Sequence, residues 1–163
     1  MTIPYRGHTG QGTYFITAST YLKQNLLQTE RMAQLFLDVL QHYRTQGKYL
    51  LHEFVIMPDH LHLLITPGHD TTLERALQLI KGGFSYRAKK ELGVTREIWQ
   101  KSFYDRRVRD GEEYERFRRY IQENPVQRGL AGRAQEYPYS SANPEFVLDE
   151  VPQRLKPVSR LAS

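Results

Sequence analysis

Residues 57–67, MPDHLHLLITP, contain the strongest local structural signal in the chain. Their Pro-Asp pair breaks the chain, and the run of apolar residues after that break predicts a strand over residues 60–66. Residues 49–57, which include the approach to the break, predict another strand, so the two strands should form a hairpin. Because side chains two positions apart on a strand point to the same side, His60 and His62 are expected to project together from one face of this hairpin.

The segments on either side of the hairpin extend it to the order β-α-β-β-α-β, followed by a third helix. Before the hairpin we predict a strand at 12–18 and a helix from Thr29 to near Gly47. After it we predict a helix that begins with a Thr71–Glu74 capping box and ends near Gly93, and then a strand at 102–109. The third helix is capped by Asp110 and is predicted to end before Pro125. This βαββαβ order predicts an α+β protein with a ferredoxin-like (RRM-like) antiparallel sheet. We expect the helices on one sheet face and a ligand on the other. Residues 1–144 would form the domain, and residues 145–163 an irregular C-terminal tail.

The composition indicates an ordinary globular protein. The 163 residues are 39% hydrophobic and 25% charged, and the absence of cysteine excludes disulfides and thiolate chemistry. No apolar run approaches the roughly 20 residues that a membrane helix needs. The segment MTIPYRGHTGQG at the start lacks the apolar core of a secretory signal, so we expect a cytoplasmic protein with no membrane partner.

The positive charge is concentrated in one third of the chain. The net charge is +5; residues 1–80 carry six basic and six acidic side chains, residues 81–133 carry fourteen and eight, and residues 134–163 carry three and four. Aromatic side chains are interleaved with the bases of the middle segment. Cations beside rings are typical of a channel for single-stranded nucleic acid, but a solvated surface of basic helices explains the charge equally well.

Two pairs of polar side chains carry the candidate chemistry. Two imidazoles on one strand face can chelate a divalent metal ion, although an isolated His-x-His is more often a hydrogen-bonded pair at a sheet edge. On the last predicted helix, Tyr120 and Asn124 lie one turn apart at the edge of a core stripe formed by Tyr114, Phe117 and Ile121. Taken alone, this second pair is better explained as a half-buried tyrosine and an asparagine before a helix-ending proline.

Four sequence blocks together resemble the REP-associated tyrosine transposases, an IS200-like branch of the HUH single-tyrosine transposases. The blocks are MPDHLHLL (57–64), WQKSFYDR (99–106), RYIQENPV (119–126) and YPYSS (137–141), and the resemblance covers about residues 10–142. It implies that His60 and His62 bind Mg²⁺ or Mn²⁺ with Asn124 as a third ligand, and that Tyr120 is the nucleophile. The implied substrate is single-stranded DNA hairpins of repetitive extragenic palindromes, nicked and rejoined through a covalent 5′-phosphotyrosine.

The resemblance also bears on the oligomeric state and on DNA contacts. One catalytic tyrosine is expected, and a monomer is favoured over a homodimer. Basic side chains near the fourth strand and on the second helix are the candidate DNA contacts: Lys101, Arg106 and Arg107 first, then Arg87, Lys89 and Lys90. Trp99 is a candidate for stacking on a base, with a place in the core as the alternative.

The sequence also allows alternative interpretations of several residues and of the function. Asp59 and Glu53 are candidates for supporting the histidines, but a turn residue and an exposed strand residue are favoured for them, and His52 is expected to be packed or hydrogen-bonded. Gly82-Gly83 inside the second helix indicates either a close approach to the backbone or a bend. A non-cleaving ferredoxin-like nucleic-acid-binding protein and a domesticated transposase that acts as a DNA binder are the alternative functions.

Overall fold

The computed structural model describes residues 12–156, and within them the chain forms one four-stranded antiparallel sheet and three α-helices. The strands are β1 (Tyr14–Ser19), β2 (Tyr49–Ile56), β3 (His60–Pro67) and β4 (Tyr104–Arg107), and the helices are α1 (Glu30–Thr45), α2 (Leu73–Leu92) and α3 (Gly111–Gln127). The strand order is β2-β3-β1-β4. The predicted α+β class and βαββαβ order are therefore confirmed. No helix in this described part of the chain is long and apolar enough to cross a membrane.

The hairpin predicted from MPDHLHLLITP is present, because β2 and β3 pair in antiparallel register. Side chains alternate along β3, so that Leu61, Leu63 and Ile65 enter the main core with the apolar faces of α1 and α2. His60 and His62 consequently project from the opposite face of the sheet. The predicted common orientation of the two histidines is confirmed.

Each α-helix begins at a capping residue that its sequence favours. The side chains of Thr29, Thr72 and Asp110 each accept a hydrogen bond from the backbone N–H three residues further on, and Gly93 ends α2 with a φ of 69°. The capping box predicted from Thr71 is wrong by one residue. Thr72 has the extended backbone of an N-cap, and it is Thr72 that binds the first turn of α2.

The second face of the sheet is covered in part by α3, so the prediction of an open face is wrong for much of its area. Tyr114 and Ile121 of α3 pack with Phe15, Val55 and Leu64 of the sheet in a second apolar cluster. The apolar stripe of α3 has to be buried against something, and this face supplies a matching apolar surface. The uncovered part of the face lies toward His62 and β4, beside the exposed side of α3.

The predicted end of α3 before Pro125 is also wrong, because the helix continues to Gln127. Proline lacks the N–H that would bind the carbonyl four residues earlier, so its cost inside a helix is mainly one hydrogen bond and local crowding. Pro125 lies in the last turn and is buried, which limits the disturbance. The extra turn leaves Asn124 inside the helix rather than at its end.

The segment after α3 runs along the outer edge of β2. Three backbone hydrogen bonds join residues 139–149 to residues 51–56, and the carboxylate of Asp149 accepts a further bond from the N–H of Leu51. Leu155 is fully buried in the second apolar cluster. Asp149 of the predicted tail thus joins Tyr139 and Ser141 of the predicted domain in covering a strand edge that would otherwise be free to pair with another chain.

The glycine pair in α2 has a packing reason at only one of its two positions. A Cβ built on Gly83 would lie 2.9 Å from the ring of Tyr43 on α1, whereas a Cβ on Gly82 meets nothing within 4 Å. Gly82→Ala is therefore expected to raise the free energy of unfolding by about 0.5–1 kcal/mol through helix propensity. Gly83→Ala must displace the Tyr43 ring, so it should be at least about 1 kcal/mol less stable than Gly82→Ala in denaturant unfolding. Equal gains from both changes would show that the helices are not in close contact there.

Candidate active site

The two histidines of β3 are buried beside the uncovered part of the second sheet face. His60 is 7% exposed and His62 is 3% exposed, and their ring centres are 4.8 Å apart. Burial of two titratable side chains so close together is costly unless each finds partners or stays neutral. Both rings have hydrogen-bond partners, and His62 is also kept neutral by its surroundings.

Each imidazole is oriented through its Nδ1 atom. Nδ1 of His62 lies 2.9 Å from the hydroxyl of Thr17 on β1, and Nδ1 of His60 lies 2.7 Å from a carboxylate oxygen of Asp59. The favoured interpretation of Asp59 as a turn residue alone is wrong, since Asp59 also holds His60. Arg128, just after α3, lies 3.6 Å from the same carboxylate. Both rings are thus held through Nδ1, which leaves the Nε2 atom of each ring for other contacts.

The protonation of His62 is set by its surroundings. Burial, and then the neighbouring His60, lower the pKa of His62 to about 3, so its imidazole is neutral near pH 7. Its buried Nε2 has no hydrogen-bond partner among the described residues. A neutral imidazole nitrogen with a free lone pair is the form in which histidine binds a metal ion.

The carboxylate of Asp59 is kept ionised by its partners. Partial burial alone would raise the pKa of Asp59, but the hydrogen bond and charge of His60, together with Arg128, bring that pKa below its ordinary value. When the imidazole of His60 is neutral, donation of its Nδ1–H to this carboxylate leaves the lone pair on Nε2.

α3 brings its two polar side chains to these rings. The Tyr120 ring centre is 5.1 Å from that of His62, and Oδ1 of Asn124 is 3.2 Å from Nε2 of His60. Tyr120 is 53% exposed, whereas Asn124 is buried at 7% exposure. The structure therefore unites all four residues that the sequence singled out for catalysis and metal binding.

The contact between Asn124 and His60 has an unusual chemical feature. With Nδ1–H of His60 donated to Asp59, the facing Nε2 and Oδ1 atoms are both acceptors. A proton on Nε2 of His60, a rotated Asn124 amide that donates an N–H, or a cation bound to both side chains would each satisfy this contact. Within residues 12–156, no group of three or more histidine or acidic side chains is arranged to hold a metal ion. The amide oxygen of Asn124 is the further protein oxygen that lies within hydrogen-bond distance of this histidine pair.

The other polar candidates near the histidines have structural partners. His52 places its two ring nitrogens 2.8 Å from the carbonyl of Asp149 and 2.8 Å from the hydroxyl of Thr66, which agrees with the expectation that it is hydrogen-bonded. Glu53 is buried rather than exposed, and it accepts hydrogen bonds from Ser141 and from Gln122 of α3. Burial raises the pKa of Glu53. Its contacts hold α3 and the C-terminal segment against β2.

Two depressions open on either side of Tyr120. The first, here called the sheet cleft, has a volume of about 440 Å³ and is lined by residues of the sheet and α3: Phe15, Thr17, His62, Tyr104, Arg116, Phe117 and Tyr120. The second has a volume of about 750 Å³ and runs along α3 past Arg116, Arg119, Tyr120, Glu123, Asn124 and Gln127. The phenol of Tyr120 is therefore accessible from both sides.

The basic residues around β4 are arranged by one buried carboxylate. Glu113 is 2% exposed at its side chain, and it lies 2.7 Å from Arg106, 3.2 Å from Arg109 and 3.8 Å from Arg116. Arg106 thus has an ion-pair partner, which the sequence did not indicate. Arg107 lies one position further along β4 and faces the other side of the sheet, and Lys101 is exposed before β4. Of the predicted group near β4, Arg106 is the one on the histidine face.

The remaining predicted DNA contacts lie away from the histidines. Arg87, Lys89 and Lys90 belong to α2, which packs on the opposite face of the sheet. Trp99 is 9% exposed, with Phe36 and Phe84 against its ring, and its Nε1–H donates to the carbonyl of Lys81. The structure thus favours the core alternative for Trp99 over stacking on a base.

Comparisons with known proteins agree with this fold and arrangement. The family model described as Transposase IS200 like matches residues 9–124, and the chain belongs to this family. DNA cleavage and joining is the general activity of transposases.

Two similar proteins carry the name REP-associated tyrosine transposase. A REP-associated tyrosine transposase of Escherichia coli (strain K12) is 25% identical over 131 residues, which cover 80% of this chain and 76% of the relative. A Haemophilus influenzae protein, provisionally given the same name, is 25% identical over 165 residues, which cover 91% of this chain and 89% of that protein. A solved structure of a REP-associated tyrosine transposase bound to a REP hairpin has a TM-score of 0.71 and 22% identity, covering 98% of this chain and 96% of that one. This structural similarity shows that this chain and the solved structure have the same fold.

Proposed function

We propose that this protein nicks and rejoins single-stranded hairpin DNA of the repetitive extragenic palindrome class in a metal-dependent reaction with Tyr120 as the nucleophile. The observation that carries the proposal is the meeting of four side chains from two elements: Tyr120 against His62, and Asn124 against His60. The names of the two relatives and the hairpin bound to the similar solved structure support this choice of DNA.

The chemical step is a transesterification. The phenolic oxygen of Tyr120 attacks the phosphorus, the bond from phosphorus to the 3′ oxygen breaks, and the products are a 5′-phosphotyrosine and a free 3′-hydroxyl. The phenolic proton passes to solvent, which reaches Tyr120 through either depression, and the leaving 3′ oxygen takes up a proton from solvent. Attack by a 3′-hydroxyl on the phosphotyrosine reverses the step and joins the strands, and no nucleotide cofactor is consumed.

His60, His62 and Asn124 fit a bound Mg²⁺ or Mn²⁺ ion. Within residues 12–156 the Nε2 atom of His62 has no hydrogen-bond partner, and Nε2 of His60 lies 3.2 Å from Oδ1 of Asn124, so these three atoms offer lone pairs to a cation. When bound, such an ion supplies positive charge that polarises the phosphate and stabilises the charge of the transition state. Because Tyr120 and Asn124 are one turn apart on α3, the placement of the nucleophile depends on the same helix as the third ligand.

A monomer is the proposed active form. Tyr120 lies against His62 of its own chain, so one chain contains every residue of the proposed site. Exchange of α3 between two subunits is not needed to complete it. Light scattering at the concentrations used for cleavage should therefore give the mass of one chain, 19.2 kDa, and an active species seen only at twice that mass would contradict this form.

The proposed activity is tested with a panel of end-labelled single-stranded hairpins. Each hairpin is incubated with Mn²⁺ or with EDTA and resolved on denaturing gels for a DNA band shifted by covalently bound protein. The proposal predicts an adduct in Mn²⁺ and none in EDTA. Hairpin binding without any adduct would instead support a DNA-binding protein that has lost the reaction.

Asp59→Ala is expected to weaken Mn²⁺ binding by roughly 10–100-fold, the usual effect of removing the partner that orients a histidine ligand. Asp59→Asn keeps an oxygen that can accept from Nδ1–H of His60, so it should recover much of the loss. Calorimetric titration with Mn²⁺, in the absence of DNA, measures the effect directly. Identical affinities for the wild type and Asp59→Ala would show that His60 does not need this contact.

A further inference from the structure

Three side chains form a row across the second face of the sheet. Thr17 of β1 is paired in register with His62 of β3 on one side and with Tyr104 of β4 on the other. Neighbouring strands lie about 4.8 Å apart, so two strand spacings place Tyr104 about 10 Å from His62 along the row. The row leads from the proposed catalytic centre to an aromatic side chain at the edge of the sheet.

Tyr104 is the exposed end of this row. It is 52% exposed on a four-residue edge strand, and its ring is steeply inclined to that of Phe15, with ring centres 6.5 Å apart. About half of this side chain is therefore open to solvent and to the sheet cleft, whose lining includes it. Exposed rings on a sheet are the platforms on which proteins stack the bases of single-stranded nucleic acids.

The other end of the row is closed in the described part of the chain. Val55 of β2, the register partner of His62, is fully buried in the second apolar cluster with Tyr137. The backbone of Ser140 pairs with Val55 from outside the sheet. A DNA strand whose phosphate lies between Tyr120 and the histidines can therefore follow the row only toward Tyr104.

The sheet cleft has the size and chemistry for one nucleotide on this path. It joins Tyr120 to Tyr104 without interruption, has a volume of about 440 Å³, and includes Arg116 as a cation on its α3 wall. Arg116 is 60% exposed at its side chain, although it shares Glu113 with two other arginines. A ring for a base and a guanidinium for a phosphate are thus presented in one groove.

We infer that Tyr104 stacks on the unpaired base next to the phosphodiester bond that Tyr120 cleaves. The inference rests on the proposed function, because it assumes that this bond lies at Tyr120. It adds a specific subsite for a flanking nucleotide, in which β4 supplies the stacking ring of Tyr104 and α3 supplies the cation of Arg116.

The test measures hairpin binding in a Tyr120→Phe background, in which the DNA stays intact. Tyr104→Ala should weaken binding of a hairpin with single-stranded flanks about tenfold, as expected for the loss of one base stack. Tyr104→Phe retains the ring and should restore most of the affinity. Tyr86→Ala is the matched control, since Tyr86 is 64% exposed on α2 across the sheet, and its affinity should equal that of the background.

An abasic scan of the DNA then locates the stacked base. At one unpaired position, removal of the base should weaken DNA binding by the Tyr120→Phe protein. On DNA that lacks this base, the added Tyr104→Ala change should cause no further loss of affinity. The inference places this position next to the bond that the wild type cleaves. A similar loss for Tyr104→Ala at every abasic position, no loss on intact DNA, or coupling to a base remote from the cleaved bond would each overturn it.

The two levels of the proposal fail separately. Absence of a covalent adduct with the wild type would overturn the proposed function. An adduct formed by the wild type, together with no coupling between Tyr104 and any base, would overturn this inference alone.

Discussion

Replacement of Tyr120 by phenylalanine is expected to abolish covalent capture of DNA and to leave hairpin binding close to that of the wild type. The change removes only the phenolic oxygen, and the ring can keep its contacts with Phe15 and His62. Loss of the nucleophile predicts a fall in the cleavage rate of roughly 10³-fold or more. Cleavage is followed on denaturing gels, and binding is followed by fluorescence anisotropy with the same labelled hairpin.

The matched control for this change is Tyr86→Phe, which removes an exposed phenolic oxygen on α2, on the opposite side of the sheet. It should cleave like the wild type. Adduct formation that persists in Tyr120→Phe would assign the nucleophile to another residue. A loss of binding that parallels the loss of cleavage would mean that Tyr120 holds the DNA or the fold instead of attacking the phosphate.

The second large effect is expected for His62→Ala, which removes the ring whose Nε2 has no hydrogen-bond partner within residues 12–156. Loss of one of three protein ligands predicts a fall in metal-dependent cleavage of roughly 10²-fold or more. Mn²⁺ affinity, measured by calorimetry without DNA, should fall with it. Cleavage by the wild type that is undiminished in EDTA would contradict the metal assignment.

Two further variants separate this effect from simple destabilisation. His62 is buried, so the alanine variant leaves a cavity and its thermal unfolding must be compared with that of the wild type. Asn124→Ala removes the proposed amide ligand from α3 and should lower Mn²⁺ affinity as well. His69→Ala, at an exposed histidine outside the strands, should change neither Mn²⁺ affinity nor cleavage. Equal Mn²⁺ affinity in all three variants and the wild type would place the metal elsewhere.

The central part of the fold follows from local patterns in the sequence. The alternation of MPDHLHLLITP determines which face of β3 carries the histidines, and a helical period places Tyr120 and Asn124 one turn apart. Both patterns act over a few residues, so they can be recognised without knowledge of the tertiary structure. The α+β class and the ferredoxin-like sheet were predicted from the order of the elements.

Features that depend on tertiary packing were not predictable in the same way. The apolar stripe of α3 was recognised, but nothing local indicates that it packs on the second sheet face rather than on the helix layer. The contact of Thr17 with His62 depends on the register between β1 and β3, which are separated by an entire helix and strand. The ion pair of Arg106 with Glu113 likewise depends on how β4 meets the start of α3.

Asp59 is a case in which a local signal was available. It immediately precedes His60, and a carboxylate next to a histidine is a common orienting partner. The same residue type is also favoured in turns, so the sequence supports both roles. The structure shows that Asp59 does both, because the turn between β2 and β3 carries its carboxylate to Nδ1 of His60.

The role of Tyr120 as the nucleophile is tested by identifying the residue that becomes attached to DNA. Wild-type protein is incubated with a cleavable hairpin and Mn²⁺, the adduct is digested with protease and nuclease, and the modified peptide is sequenced by mass spectrometry. The chain has 11 tyrosines, and we expect the nucleotide on Tyr120 alone, linked through its 5′-phosphate. Attachment to any other residue, or attachment through a 3′-phosphate, would contradict the proposed site.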